Sequence, residues 1–469
     1  MPLTDGLRSP GFKLFLAIVV GLVLTIPLFS VWLLVYDRQT QSEEASSSIT
    51  AGWGGPQAMS GPILVIPYRA TATETVVQNG QSVTRSNEVM RELTLAPEAV
   101  EMSTTVTPEV RKRSIYEAVV YGAKVSGKAR FAFPQDLART GVDPAKMALG
   151  RAELRFGLSD PRGLGSNPSV SAGGQPLRLQ PGGGSSGGRG FFAWIDAGPL
   201  QAAPIDVDFA YDFRGNASLT LAPNAGDTRW SVRSSWPSPS FAGDFLPTGR
   251  NVSDKGFDAN YRIGNLALGR SLVSTGEPGA AQPVEQIGPP SRAPATSTAV
   301  DATSAAGPVQ TAAISLIQPV DLYSQVNRAT KYGFLFIGFT FLALLMFDVI
   351  GGVRVSAVEY LLMGAALILF FVLLLAFAEV IGFTAAYIVA SAAIAGLNTA
   401  YSAAILGSWR RAWFIGGLLV GLYAVLYILL SLEAYSLLIG SLLLFAALAG
   451  VMYATRRIDW SAPRGEVTD

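Results

Sequence analysis

Long stretches of apolar residues without a charge constrain this chain more than any other feature. Leu14–Tyr36 is a 23-residue run with no charged side chain. At about 1.5 Å rise per residue a helix of that length reaches roughly 34 Å, enough to cross a hydrocarbon core about 30 Å thick. The run is too long for a secretory h-region, and no small-x-small cleavage pattern follows before Glu43 and Glu44. It reads as an uncleaved anchor, with Pro27 at a position where membrane helices tolerate a kink.

The last third of the chain contains five more such runs: Tyr332–Ile350, Tyr360–Ala378, Val380–Leu406, Trp413–Leu432 and Ala434–Thr455. Only the first carries a charge, Asp348, close to its end. Glu379 and the Ile381-Gly382 region alone divide the second run from the third. Six spans, the last five with short separators, define the membrane layout, and lysines and arginines orient it. Arg8 and Lys13 precede the first span. Arg354, Arg410, Arg411, Arg456 and Arg457 then fall on the same side, whereas Glu379 and Glu433 fall on the other. The expected organisation is a cytoplasmic N-terminus (1–13), an anchor (14–36), an extracytoplasmic domain (37–331), five transmembrane helices (332–455) and a cytoplasmic tail (456–469). Aromatic residues at span edges, including Trp32, Tyr36, Tyr332 and Trp413, suit the bilayer interface.

Between the anchor and the helical block the periodicity changes to that of strands. From Ile205 to Phe213 apolar residues alternate with mostly acidic ones. Tyr121, Ala123, Val125, Ala129, Phe131 and Phe133 share one face of a second segment, and Lys124, Lys128 and Arg130 share the other. Ala152–Leu158 and Phe257–Ile263 alternate in the same way. Asn79-Gly80, between two β-rich stretches, is a two-residue hairpin signal. One dry face and one wet face on many strands predict a mostly antiparallel, sandwich-like β domain. Pro108–Glu117 is the only segment here with helical potential. Pro181–Gly190 reads as a Gly/Ser loop. Thr275–Ala312, rich in Pro, Ala, Gly, Ser and Thr, reads as a flexible low-complexity segment, either an insertion on the sandwich or a tether.

Composition narrows the chemistry. The 469 residues include no histidine and no cysteine. Disulfides, thiolate nucleophiles, Ser-His-Asp triads and the usual zinc sites are therefore excluded. A net charge of +1 provides no field to attract nucleic acid. Gly122–Ala129 approaches the phosphate-binding P-loop pattern, but Ala129 stands where a hydroxyl residue must hold Mg²⁺, and the segment has strand periodicity. Asp206, Asp208 and Asp212 share a strand face and are too spread for a calcium loop. Asn398 is the main deep polar residue of the helical block, and a single Asn suits a helix–helix hydrogen bond better than a transport path. No catalytic, cofactor-binding or metal-binding residue emerges.

Several stretches carry a family resemblance: Ser60–Pro67, Arg113–Tyr116 running into Val120-Tyr121, Ser159–Gly163, Ser235–Pro247, Asp321–Tyr323 with Arg328–Tyr332, and Arg457–Trp460. In these, and in its membrane layout, the sequence resembles the bacterial CreD family of inner-membrane, cell-envelope integrity proteins. The resemblance implies an inner-membrane location and a role in envelope integrity or stress response, linked to agents such as colicins and β-lactams. It transfers no catalytic residues.

The preferred expectation is a non-enzymatic envelope protein that sits in the lipid bilayer and meets a periplasmic or envelope partner through its β domain. A transporter or channel built from the C-terminal helices is one alternative. A carboxylate-dependent hydrolase of envelope glycans is another. Trp236–Pro247, with three prolines among Trp236, Phe241, Phe245 and Leu246, is expected to be a stiff loop. It either plugs the sandwich or projects as an apolar contact, with Asp244 as a turn cap or a rim charge.

Overall fold

The computed structural model describes residues 10–78, 81–134, 137–186, 188–275, 282–283, 309–316, 322–349, 355–431 and 436–456. Two compact units emerge, one from residues 1–44 and 320–469 and the other from residues 45–319.

Helix α1 (Pro10–Thr50) contains the first apolar run and continues past its expected end at Tyr36. The added residues include Arg38, Gln39, Gln41, Glu43, Glu44 and Ala45, which favour helix, and they are tied by i,i+4 hydrogen bonds from Gln41 to Asp37 (2.9 Å) and from Gln39 to Glu43 (3.2 Å). The strands in chain order are β1 (Gln57–Gln78), β2 (Gln81–Leu95), β3 (Ala99–Arg113), β4 (Tyr116–Phe131), β5 (Ala152–Leu158) and β6 (Ser169–Ala172). Next come β7 (Gln175–Pro176), β8 (Leu179–Ser186), β9 (Arg189–Ile195), β10 (Ile205–Asn216), β11 (Ser218–Ala222) and β12 (Asp227–Ser234). After β13 (Pro239–Gly243), β14 (Gly249–Ser253) and β15 (Gly256–Gly264) come a one-turn helix α2 (Asn265–Leu268), β16 (Val273–Ser274) and β17 (Ala312–Leu316).

These strands make two sheets. The first runs β13-β17-β11-β1-β5-β9-β8, with β2 also paired to β1 and β16 to β2. The second runs β14-β15-β12-β3-β4-β10-β6-β7. All pairs are antiparallel except β1 with β11 and β12 with β3. A single core joins the inward faces, with Leu64, Leu154 and Phe156 from one sheet meeting Tyr121, Phe209, Phe213 and Trp230 from the other. The expected alternation is met in β10, where Val207, Phe209, Tyr211 and Phe213 are buried between exposed aspartates.

Three local readings change. Pro108–Glu117 is not helical. Its residues complete the β3–β4 hairpin, paired through to Arg113↔Tyr116, with Ser114 at φ 59 in the turn. The Gly/Ser stretch 181–190 is not simply a loop, because its first half is edge strand β8, which pairs with β9 through an irregular register. Asn79-Gly80 lies outside the described residues, although Gln78↔Gln81 pair on either side of it. Most of 275–312 also lies outside them. Its flanking strands, β16 and β17, belong to the same sheet.

In the other unit, α3 (Leu322–Lys331) precedes α4 (Gly333–Val349), α5 (Ala357–Ile381), α6 (Phe383–Leu406), α7 (Trp409–Ser431) and α8 (Ser436–Thr455). Helix α1, α3 together with α4, and each of α5, α6 and α7 give five stretches long and apolar enough to cross a membrane, and the apolar α8 follows. Helix α5 passes through Glu379 and stops at Gly382, whose φ of 80° only glycine adopts at little cost. Helix α1 belongs to this unit as a packed member. Ala17, Val20, Leu24, Val31 and Val35 form its buried stripe, and Leu24 lies so close to Gly364 of α5 that a Cβ there would overlap it.

Candidate functional site

The Ser159–Gly163 stretch and the chain leaving α1 come together in one polar knot. Ser159 Oγ accepts a hydrogen bond from Ala58 N (2.9 Å) and donates to Pro56 O (3.1 Å). Gln57 Nε2 donates to Asp160 O (3.0 Å) and Arg214 O (2.9 Å). Asp160 accepts from Gly55 N, and Arg162 grips it with Nε at 2.9 Å and Nη2 at 2.8 Å. The bonds from Arg162, reinforced by the backbone N–H groups of Gly55 and Arg162, outweigh the partial burial of Asp160 and hold its carboxyl down at about 2. Nearby, Tyr121 donates to Ser218 O (2.7 Å), and its complete burial pushes its phenol far above the ordinary value. These bonds tie Gly55–Ala58 to Ser159–Arg162, so the knot fixes the chain's entry into the sandwich.

The outward face of the second sheet is organised differently. Register places Ser231, Ser103, Ser126, Ala210 and Ser169 side by side across β12, β3, β4, β10 and β6. On one side of this row runs Arg229, Glu101, Lys128 and Asp208, with alternating charge. On the other run Asp258, Arg233, Thr105, Lys124 and Asp212. Small side chains between long ones leave a trough of about 580 Å³, with Pro176 among its lining residues. Lys128 pairs with Asp208 at 3.4 Å and Arg233 with Asp258 at 2.6 Å. This ladder absorbs the aspartates considered as a cation site: Asp206 stands opposite Arg130, Asp208 opposite Lys128 and Asp212 opposite Lys124. Among the described residues no group of three His, Cys, Asp or Glu is placed to hold a metal ion. Gly122–Ala129, the near P-loop, is part of β4 and provides no strand-to-helix turn.

Trp236–Pro247 is not wholly a loop. Pro239–Gly243 forms β13, an edge strand paired to β17, and an edge accepts Pro239 at the strand's first residue. Trp236, Phe241 and Phe245 are half-buried against the core, with Phe241 edge-on to Phe257 at 5.8 Å. Leu246 projects, 63% exposed. Asp244 acts as a clamp on the returning chain, because its Oδ2 accepts from Thr311 N (2.8 Å) and its own N–H donates to Thr311 O (2.7 Å).

In the helical unit, Asp348 sits near the end of α4 as expected, yet it is buried and ion-paired with Lys13 of α1. Position in sequence indicated its depth along the span and gave no sign of this partner. Asn398 is buried, and its Nδ2 finds no partner among the described residues, so the expected helix–helix bond from that group is not made. Tyr387, by contrast, donates to Tyr423 O across α6 and α7 at 2.6 Å.

Helices of membrane-spanning length, together with a two-sheet β domain inserted between the first of them and the rest in sequence, define a polytopic membrane protein with a large extramembrane unit. Residues 9–461 match the family described as Inner membrane protein CreD. Inner membrane protein CreD of Escherichia coli (strain K12) is 31% identical over 464 residues, covering 97% of this chain and 95% of that relative. The chain belongs to the CreD family of inner membrane proteins. Among solved structures, an M1 zinc metallopeptidase from Deinococcus radiodurans overlaps 36% of this chain and 39% of its own, at 11% identity and a TM-score of 0.20. That overlap is too slight to bear on fold or chemistry.

Proposed function

We propose that this CreD-family protein supports the integrity of the cell envelope without catalysis, through contacts made by its β domain on the periplasmic side of the inner membrane. The trough across the second sheet carries this reading. Its serine floor and the charged row of Glu101, Lys128 and Asp208 along it are uncommitted to the core, and they give an extended partner a polar track to lie in. The orientation is supported by Lys13, Arg410, Arg411 and Arg456, which fall on one side of a six-span path while Glu379 falls on the other.

Two experiments test the two parts. Filling the trough with Ser103→Trp and Ser126→Trp should abolish the envelope phenotype while leaving the amount of protein in the membrane unchanged. An unchanged phenotype would reject the trough as the contact. A reporter fused after Arg411 should read as cytoplasmic, and one at Glu433 as external; the reverse would overturn the orientation.

A further inference from the structure

The first sheet carries a second surface feature, separate from the trough. Trp194 of β9 points away from the core and is 59% exposed, a large apolar area for a strand to leave in solvent. Its ring is held in place. Phe192 meets it edge-on at 5.3 Å and 90°. Gly183 of β8, at φ 56, lies over Phe192 so closely that a Cβ would come within 2.7 Å of the ring. Register sets Glu153 directly opposite Trp194 and Arg155 opposite Phe192. Arg155 is buried, and it donates to Glu153 (2.9 Å) on its own strand and to Glu92 (2.9 and 3.2 Å) on β2. The two carboxylates stay partly open, with side-chain exposures of 25% for Glu153 and 45% for Glu92.

We propose that this patch is a glycan-binding platform, in which the face of Trp194 stacks on a pyranose ring and Glu153 accepts hydrogen bonds from that sugar's hydroxyl or acetamido N–H groups. A pyranose offers what the patch lacks, a flat C–H face and several donors at its edge. Glu153 and Glu92 share the one buried guanidinium of Arg155, so the groups beside Trp194 are acceptors that suit a donor-bearing ligand better than an anion. The Trp194 ring is already propped, so little conformational entropy is lost on binding. The ligand class is therefore a neutral sugar chain. The proposal rests on the preceding reading only for the source of that chain in the envelope; its chemistry stands apart.

The test uses the full-length protein in detergent micelles, so the side of the membrane does not enter. Calorimetric titration with chitotetraose should show binding that Trp194→Ala weakens by about tenfold or more, a loss of the size expected for one aromatic stacking contact. Trp194→Phe should retain much of the affinity, and Glu153→Gln should lose part of it. Trp194 is exposed, so the thermal midpoint should stay unchanged in both Trp194 variants. Co-sedimentation with purified sacculi that also depends on Trp194 would assign the sugar to the cell wall. Chitotetraose binding without sacculus binding would assign it to a free glycan. No binding of either by the wild-type protein, or equal binding by Trp194→Ala, would overturn the proposal. A failed topology reporter would count only against the orientation.

Discussion

In strand β10, Asp206, Asp208 and Asp212 face outward while Val207, Phe209 and Phe213 face in. In helix α5 the outward residues are Leu361, Leu362 and Leu369, and the inward set includes the phenol of Tyr360. The same chain thus sorts side chains by polarity in one unit and hardly at all in the other. The difference lies in the surroundings. Water outside the sandwich makes an exposed apolar side chain costly and an exposed aspartate cheap. Lipid outside the helices is as apolar as leucine, so burial there follows shape and the few available polar partners.

Substitutions should respect that contrast. Phe209→Asp, which places a charge between Phe156 and Tyr211, should cost the β domain about 4 kcal/mol or more and leave it protease-sensitive. Gly364→Leu introduces no charge, yet it should cost about 3 kcal/mol by displacing Leu24, read as a lower melting temperature in detergent. A melt unchanged by Gly364→Leu would show that α1 is only an anchor. Asp348→Asn leaves Lys13 without its counter-charge and should cost about 2 kcal/mol, most of it recovered when Lys13→Leu is combined with Asp348→Leu. Equal damage from the double variant would mean that the pair is replaceable by nothing apolar.

Smaller effects sharpen the β side. Asp160 has a folded pKa depressed to about 2, so the stability it contributes is present above about pH 4 and is lost as pH falls toward 2. Asp160→Asn should cost about 1 kcal/mol at neutral pH and remove that acid-dependent part of the melting curve. Asp206→Asn, on the wet face, should change stability by less than about 0.5 kcal/mol. A loss comparable to that of Phe209→Asp would mean that the outer face of β10 is covered by a partner.

Legibility in the sequence followed the same divide. Alternation located β4, β5, β10 and β15, because strands with one wet face write their orientation into every second residue. It did not locate the end of β3, where Pro108 and the run Arg111–Arg113 obscure the pattern, nor β8, whose glycines have no side chain to alternate. The apolar helices were located from uncharged length, though not the continuation of α1 to Thr50. The partners of those spans were not, because Lys13 and Asp348 are 335 residues apart in sequence and nothing local marks them as a pair. The trough was hidden for a related reason. Ser103, Ser126 and Ser231 are unremarkable on their own strands, and only register brings them into one row. Trp194 does not stand out in the sequence, since its outward face is defined only by the pairing of β9 with β5 and β8.

The position of β17 bears on how the domain is made. Residues 312–316 are the last strand to leave the ribosome, yet they sit between β13 and β11 and pair with both. Until they arrive, β13 has no neighbour in its sheet and β11 keeps an open edge, while more than 200 residues of the domain are already synthesised. The sandwich therefore closes late, after a wait set by translation through the long stretch before Ala312. Over that interval the open edge is a template for wrong pairing.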